Sequence, residues 1–357
     1  MDFGIAVATS TNSWKVVKRA EELGFSDAWF YDTQLLNPDV FIGMALAAVN
    51  TTTINLGTGV LIPTNRIAPV TANALASINK LAPGRTKFGV GTGFTGRRTM
   101  GQQAMKLKDM KQYINDVQGL LAGEVIDWHS EGKVHPVRFL NPDLGLINIE
   151  DNIPLYISAF GEKSRQLTAD LNAGWLYFGG SPDDAVRALS AMQSQWQASN
   201  PVHQPDSVLF TLGCVLKPDE SPMSERSIAQ AGPLVTVGYH SLVEGFAADM
   251  IDNMFPPERI SQLDEYRKVY ENYEPRDARY LNLHRGHLMF NRPEELPFIT
   301  EELILGSTFT GTKEVLIQHL SKLQDAGYKQ FTIQIVEGQE DAVEDWAEVF
   351  EEFRQLN

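Results

Sequence analysis

INLGTGVLIPTNRIAPVTANALASINKLAPGRTKFGVGTG, residues 54 to 93, is the stretch on which the fold turns. Ile54 to Val60 is a short apolar run that ends among glycines, Val70 to Leu81 carries apolar residues at helical spacing, and Thr86 to Gly91 is apolar again. A nearly all-apolar strand that returns through a helix to another such strand is the pattern of a parallel sheet covered on both faces. Outward from this unit the alternation repeats. Before it lie Phe3 to Ala8 followed by Ser13 to Leu23, and Asp27 to Tyr31 followed by Val40 to Val49. After it come Met105 to Leu121, then Pro154 to Ala159 with Glu162 to Asn172, and Trp175 to Phe178 with Pro182 to Ser199. Val208 to Leu216 is the seventh strand; the helix Thr312 to Ala326, the strand Phe331 to Val336 and the helix Ala342 to Phe353 complete the set. Eight strands with eight helices predict an α/β fold, a (β/α)8 TIM barrel in one domain spanning residues 1–357, over an open doubly wound sheet.

Two stretches exceed the repeat. Residues 124–153, after strand four, are rich in Pro, Asn and Asp, and residues 217–307, after strand seven, read as largely helical. Barrel active sites lie at the C-terminal ends of the strands, so these insertions are expected to form the walls and lid of the active site.

Composition narrows the function. Thirty basic against forty-five acidic residues leave a net charge of −15, a field that repels polyanions and excludes nucleic acid as a partner. The single cysteine, Cys214 in TLGCVL, suits a buried strand thiol better than a nucleophile. No apolar run reaches the ~18 residues of a spanning helix, so no membrane partner is expected. Met1-Asp2-Phe3-Gly4 enters a strand without a basic region, which suggests a soluble, cytoplasmic protein.

The strand ends carry the candidate chemistry. Gly57-Thr58-Gly59-Val60 either lets a flat ligand approach the backbone or merely accommodates a bend. Gly91-Thr92-Gly93-Phe94-Thr95-Gly96-Arg97-Arg98 offers backbone N–H groups and two guanidinium groups to an anion. Its formal GxGxxG follows the fourth strand, not the first of a βαβ unit, and so is not read as a dinucleotide site. Ser158-Ala159-Phe160-Gly161-Glu162 opens a helix whose free amides suit a phosphate or simply start the helix, and Gly179-Gly180 adds backbone donors beside it. Asp32 is either a buried carboxylate fixing the next loop or an acid/base group. In the long insertion, His284 and His287 stand three apart as a structural pair, a proton donor or a substrate anchor. Without a third ligand at helical spacing they predict no metal site. Tyr239, His240 and Phe94 are candidate substrate contacts, and the acidic stretch Glu337 to Glu352 is a solvated helix face.

Taken together, AEELGFSDAWFYDTQ (Ala20 to Gln34), the run Asp39 to Arg97, YISAFGEKS (Tyr156 to Ser164), GWLYFGG (Gly174 to Gly180) and Thr308 to Gln334 resemble the luciferase-like family of flavin-dependent oxidoreductases. That family includes bacterial luciferase, alkanesulfonate monooxygenase and deazaflavin-dependent methylenetetrahydromethanopterin reductases. The resemblance implies an isoalloxazine ring across the barrel mouth against Thr58, Gly59, Val60, Thr92 and Gly93, with a non-prolyl cis peptide at Gly59-Val60. It implies a phosphate held by Ser158 to Ser164, by Arg97 or Arg98, and by Gly179 and Gly180. Two departures stand out: where many members have Asp-His after strand two this chain reads Asp32-Thr33-Gln34, and Gly93 is followed by Phe94 where deazaflavin enzymes often have Asp. Asp32, Gln34, His284 and His287 are therefore the catalytic candidates. The implied activity is a two-component monooxygenase that takes reduced FMN from a separate NAD(P)H flavin reductase and uses O₂ to oxygenate a small organic substrate. Deazaflavin (F420)-dependent hydride transfer and flavin holding without turnover are the alternatives, and a homodimer or higher homo-oligomer is implied.

Overall fold

A computed structural model describes residues 1–200, 205–245 and 257–356, with side chains of 257–260 left undescribed. In chain order the elements are β1 (Asp2–Val7), α1 (Ser13–Glu22), β2 (Asp27–Phe30), α2 (Val40–Asn50), β3 (Asn55–Thr58), α3 (Ala68–Leu81), β4 (Thr86–Val90), α4 (Phe94–Arg98) and α5 (Leu107–Leu121). A hairpin, β5 (Ile126–Ser130) and β6 (Lys133–Val137), precedes β7 (Leu155–Ser158), α6 (Glu162–Asp170), β8 (Gly174–Phe178), α7 (Pro182–Ser199) and β9 (Ser207–Thr211). Then come α8 (Glu225–Val243), α9 (Pro257–Glu271), α10 (Tyr280–Leu283), α11 (Glu301–Ser307), α12 (Lys313–Ala326), β10 (Gln330–Ile335) and α13 (Ala342–Leu356).

Eight parallel strands close in the order β1-β10-β9-β8-β7-β4-β3-β2. The closing pair runs from Asp2 opposite Gln330 to Val7 opposite Ile335, so the sheet has no edge and the open alternative is excluded. Side chains pointing outward meet the helices: Phe3 stacks on Phe350 with ring centroids 3.9 Å apart, and Trp346 and Phe353 fill the same layer. Those pointing inward make a second core of Trp29, Tyr156, Leu176, Phe210 and Leu212. Each large side chain fully buried in these layers contributes about 2–3 kcal/mol of transfer free energy. Helix ends are set locally: Asp39 caps α2 by accepting from the Phe41 amide at 2.9 Å, and Ser181 caps α7 at the Asp184 amide.

The two insertions sit on opposite faces. Residues 124–153 connect the end of α5 to the start of β7, both at the N-terminal face of the barrel. Asn148 and the Asp151 carbonyl hydrogen-bond Asn79 near the end of α3. The expectation that this segment walls the active site is therefore corrected: it leaves from a helix end, not a strand end, and is tied to Asn79 on α3 at that face. Residues 217–307 leave from the top of β9 and return beside it, the Phe309 amide donating to the Leu212 carbonyl at 2.9 Å. Their described residues form a roof with its own core of Val235, Tyr239, Leu263, Tyr266, Leu283 and Ile304. Among the described residues no helix is long and apolar enough to cross a membrane.

Candidate active site

The floor of the mouth comes from three adjacent strand ends. A Cβ built on Gly91 would stand 2.8 Å from Val60 Cγ2 and 3.5 Å from Ser158 Cβ, so β3, β4 and β7 converge here and glycine is required by the contact. The peptide between Gly59 and Val60 is cis. Val60 and Phe178 are half-buried and pack on the inner barrel core, whereas Thr58 lies below the surface. Its hydroxyl donates to the Gly89 carbonyl at 2.6 Å and accepts from the Gly89 amide at 3.0 Å. Thr58 thus knits two strands from within the barrel, its one proton spent on the Gly89 carbonyl.

The rim at α6 is open. Gly161 is its N-cap, no side chain caps the helix, and Phe160, Gly161, Glu162 and Lys163 are exposed while Ala159 is buried beneath them. The first amides of a helix have no intrahelical partner, and with the helix dipole they make an anion site. Ser164 steadies the turn by donating to the Gly161 carbonyl at 2.8 Å. Of the other expected phosphate groups, Gly179, Arg97 and Arg98 each have a partner elsewhere. The Gly179 amide donates to the Phe210 carbonyl at 2.9 Å, and Gly180 lies against the roof, where a Cβ would meet the Ser307 carbonyl oxygen at 2.3 Å. Arg97 Nε donates to the Gln103 carbonyl at 2.6 Å. Arg98 pairs with Glu244 and lies over the Phe94 ring, 4.0 Å from its centroid, so Phe94 is covered by its own helix. The Thr92 carbonyl accepts from the Met105 amide at 2.9 Å, and Gly93 opens α4.

Asp32 is 4% exposed, and its carboxylate accepts from the Ile62 amide at 3.0 Å, Asn65 Nδ2 at 3.2 Å and Arg66 Nη1 at 3.0 Å. Arg66 also reaches Asp39. Gln34 accepts from Asn65 at 2.8 Å and donates to the Gly96 carbonyl. The geometry favours the first reading of Asp32 and counts against the catalytic expectation for both: their polar atoms clamp the loop after strand three against its neighbours, with Asp32 Oδ2 accepting three bonds and Oδ1 one.

The roof holds the imidazoles. Tyr239 stacks on Tyr266, centroids 5.0 Å apart, within the roof's own core, so it is not a pocket residue. His240 Nε2 lies 2.6 Å from Glu295, which also accepts from Tyr266 at 2.9 Å and from Arg292. Burial pushes the Glu295 carboxyl up, but His240 and Arg292 outweigh it and hold it at about 2. His240 is therefore a partner of Glu295 and not the substrate contact expected. His284 Nε2 lies 3.0 Å from Glu244, the residue paired with Arg98, which ties the roof to the loop after strand four. Among the described residues His287 makes no carboxylate contact, and burial, aided by His240 and His284, pushes its pKa well below the ordinary value. Next to it, Leu288 packs into the inner barrel core and its carbonyl accepts from Gln334 on β10, which in turn accepts from the Tyr31 hydroxyl at 2.8 Å. Tyr31, Gln334, Glu244 and Glu295 went unnoticed in the sequence because their partners are far away along the chain. A cleft of about 440 Å³ at the loops after β1 and β10, lined by Ser10, Arg19, Glu337 and Glu340, lies across the rim from α6.

Comparison with known proteins agrees with this architecture. The family model described as luciferase-like monooxygenase matches residues 8–330. The 5,10-methylenetetrahydromethanopterin reductase of Methanolobus tindarius is 30% identical over 54% of this chain, and the match spans 59% of that enzyme, little more than half its length. The F420-dependent glucose-6-phosphate dehydrogenase of Microbacterium testaceum is 24% identical over 77% of this chain and 85% of its own. Among solved structures, the coenzyme F420-dependent tetrahydromethanopterin reductase of Methanopyrus kandleri superposes with a TM-score of 0.67 at 18% identity, covering 97% of both chains. That likeness shows the fold.

Proposed function

Because this chain belongs to the luciferase-like monooxygenase family, whose members are oxidoreductases, we propose that it transfers a hydride between a small organic substrate and a deazaflavin (F420) seated at the C-terminal mouth of the barrel. The observation that carries the proposal is the open, uncapped start of α6 beside the floor of Val60, Gly91 and Ser158. A phosphodiester that continues into a long tail needs an anion site opening to solvent, and Gly161 to Ser164 form one. A terminal phosphate such as that of FMN favours guanidinium groups; Arg98 is paired with Glu244 and Arg97 gives its Nε proton to the Gln103 carbonyl, which leaves fewer donors for it. The F420-dependent glucose-6-phosphate dehydrogenase named above adds sequence support.

The residues fit such a group: helix amides for the phosphate, Val60 and Phe178 as an apolar bed, and glycine at 91 where a side chain would intrude. Bound there, a deazaflavin supplies two-electron hydride chemistry, which is the cofactor's own. The protein's part is to hold it, to seat a substrate under the roof and to exclude water through the Leu288, Gln334 and Tyr31 contacts. Exposed Ile42, Val49, Val70 and Leu81 on α2 and α3 support a homodimer through those helices.

Oxygenation with reduced FMN, the activity foremost in the resemblance, is the second reading, favoured by Phe94 standing where deazaflavin enzymes often carry Asp. An anaerobic assay with F420 and a panel of alcohols separates the two: bleaching of the deazaflavin absorbance on adding substrate supports hydride transfer. Oxygen uptake with reduced FMN and an oxygenated product, with no reaction of F420, would overturn it.

A further inference from the structure

The roof brings together three imidazoles that hydride transfer does not use. His240 comes from α8, His284 and His287 from the turn after α10, and one nitrogen of each lies within 4.8 Å of the others. Ring centroids stand 6.3 Å apart for His240 and His284 and 6.2 Å apart for His284 and His287. The Nδ1 atom of all three is buried without a hydrogen-bond partner among the described residues. The opposite nitrogens of two are held, His240 Nε2 by Glu295 at 2.6 Å and His284 Nε2 by Glu244 at 3.0 Å. A carboxylate that accepts from Nε2 keeps the ring proton there and leaves Nδ1 as a bare lone pair. Buried lone pairs gathered without a donor are an arrangement that a cation completes, and carboxylates behind the ligating rings are the usual second layer of a metal centre.

We infer that His240, His284 and His287 form a binding site for a divalent transition-metal ion of the zinc class, with Glu295 and Glu244 orienting two of the ligands. Zinc sits about 2.0–2.1 Å from imidazole nitrogens, which places tetrahedral ligands roughly 3.4 Å apart. From separations of at most 4.8 Å, ring movements of under about 1 Å close the set. Neutral imidazole selects zinc, copper, nickel or cobalt over magnesium and calcium, which prefer oxygen. Three protein ligands leave a fourth position open, as in metal sites that hold water or a substrate group. An ion here joins α8 to the turn bearing Leu288, so it fastens the part of the roof that rests on the mouth. The inference is independent of which cofactor the mouth takes.

The test uses the full chain, dialysed against a chelator and titrated with Zn²⁺ by calorimetry and with Co²⁺ by visible absorption. One equivalent is expected, with the intense absorption of four-coordinate cobalt. Glu244→Gln should weaken binding about tenfold or more, and His287→Ala by more than that, with the metal-free circular dichroism of each variant unchanged. His287→Gln, which keeps the volume, serves if the alanine variant does not fold. Changing His129 and His135 together to Ala, on the exposed hairpin, should leave binding intact. Absence of saturable binding, binding that survives at His287→Ala and His287→Gln, or binding lost with the hairpin histidines would overturn the assignment.

Discussion

Asp32→Asn separates a clamp from a catalyst. The substitution keeps the shape but removes the charge facing Arg66, and it sets an amide donor among the donors of Ile62, Asn65 and Arg66. Breaking a buried ion pair from one side costs about 3–5 kcal/mol. Arg66 keeps Asp39 and its place over the Phe41 ring, so the lower end applies, about 3 kcal/mol. With an unfolding entropy of about 2.1 cal/mol/K per residue over 357 residues, that lowers Tm by roughly 4 °C. Differential scanning calorimetry measures the drop. Adding Arg66→Met should recover part of it, since removing both charges leaves neither unpaired. An unchanged Tm together with a large loss of kcat and a flattened pH profile would refute the clamp and restore an acid/base role.

Further expectations follow from single environments. Leu288 lies in the left-handed region at φ 58° and is buried in the inner core. Leu288→Ala should cost about 2–4 kcal/mol in chemical denaturation, and Leu288→Gly no more than that, because glycine relieves the backbone; a markedly worse glycine variant would contradict this. Cys214 is fully buried and burial pushes its thiol up to about 11, so iodoacetamide at pH 8 should label it only in denaturant, which mass spectrometry reads directly. The Arg226 guanidinium holds the Glu220 carboxyl at about 2, below its ordinary 4.5. The folded value is the lower one, so this stabilisation is present above pH 4.5 and lost as pH falls toward 2. The Tm gap between parent and Glu220→Gln should shrink across that window, and a gap independent of pH would disprove the coupling.

The barrel was legible because its strands are nearly all apolar and its helices carry a separate period; Phe3 and Phe331, or Trp29 and Phe210, had to be interior whatever their partners. The Gly59-Val60 cis peptide was legible only through family resemblance, since no local signal distinguishes it. Direction was harder to read. Residues 124–153 looked like a wall because they follow the strand-four unit in sequence, whereas the helix before them, α5, has already carried the chain to the other face. Arg97 and Arg98 looked free because a guanidinium beside glycines suggests an anion, yet Glu244, which takes Arg98, lies in the roof. His284 and His287 showed as a pair, but the third imidazole, His240, is supplied by a helix whose proximity depends on how the roof packs.

The most direct test of the account is a fluorescence titration of the protein with F420 and with FMN, repeated on Ser164→Asp. A second carboxylate in the first turn of α6, added to Glu162, repels a bound phosphate further, and 1.4 kcal/mol of added repulsion is about tenfold in affinity. F420 binding tighter than FMN in the parent, and weakened about tenfold or more by the substitution, is the predicted result. FMN binding tighter, or F420 affinity indifferent to Ser164→Asp, would contradict a deazaflavin held at the start of that helix.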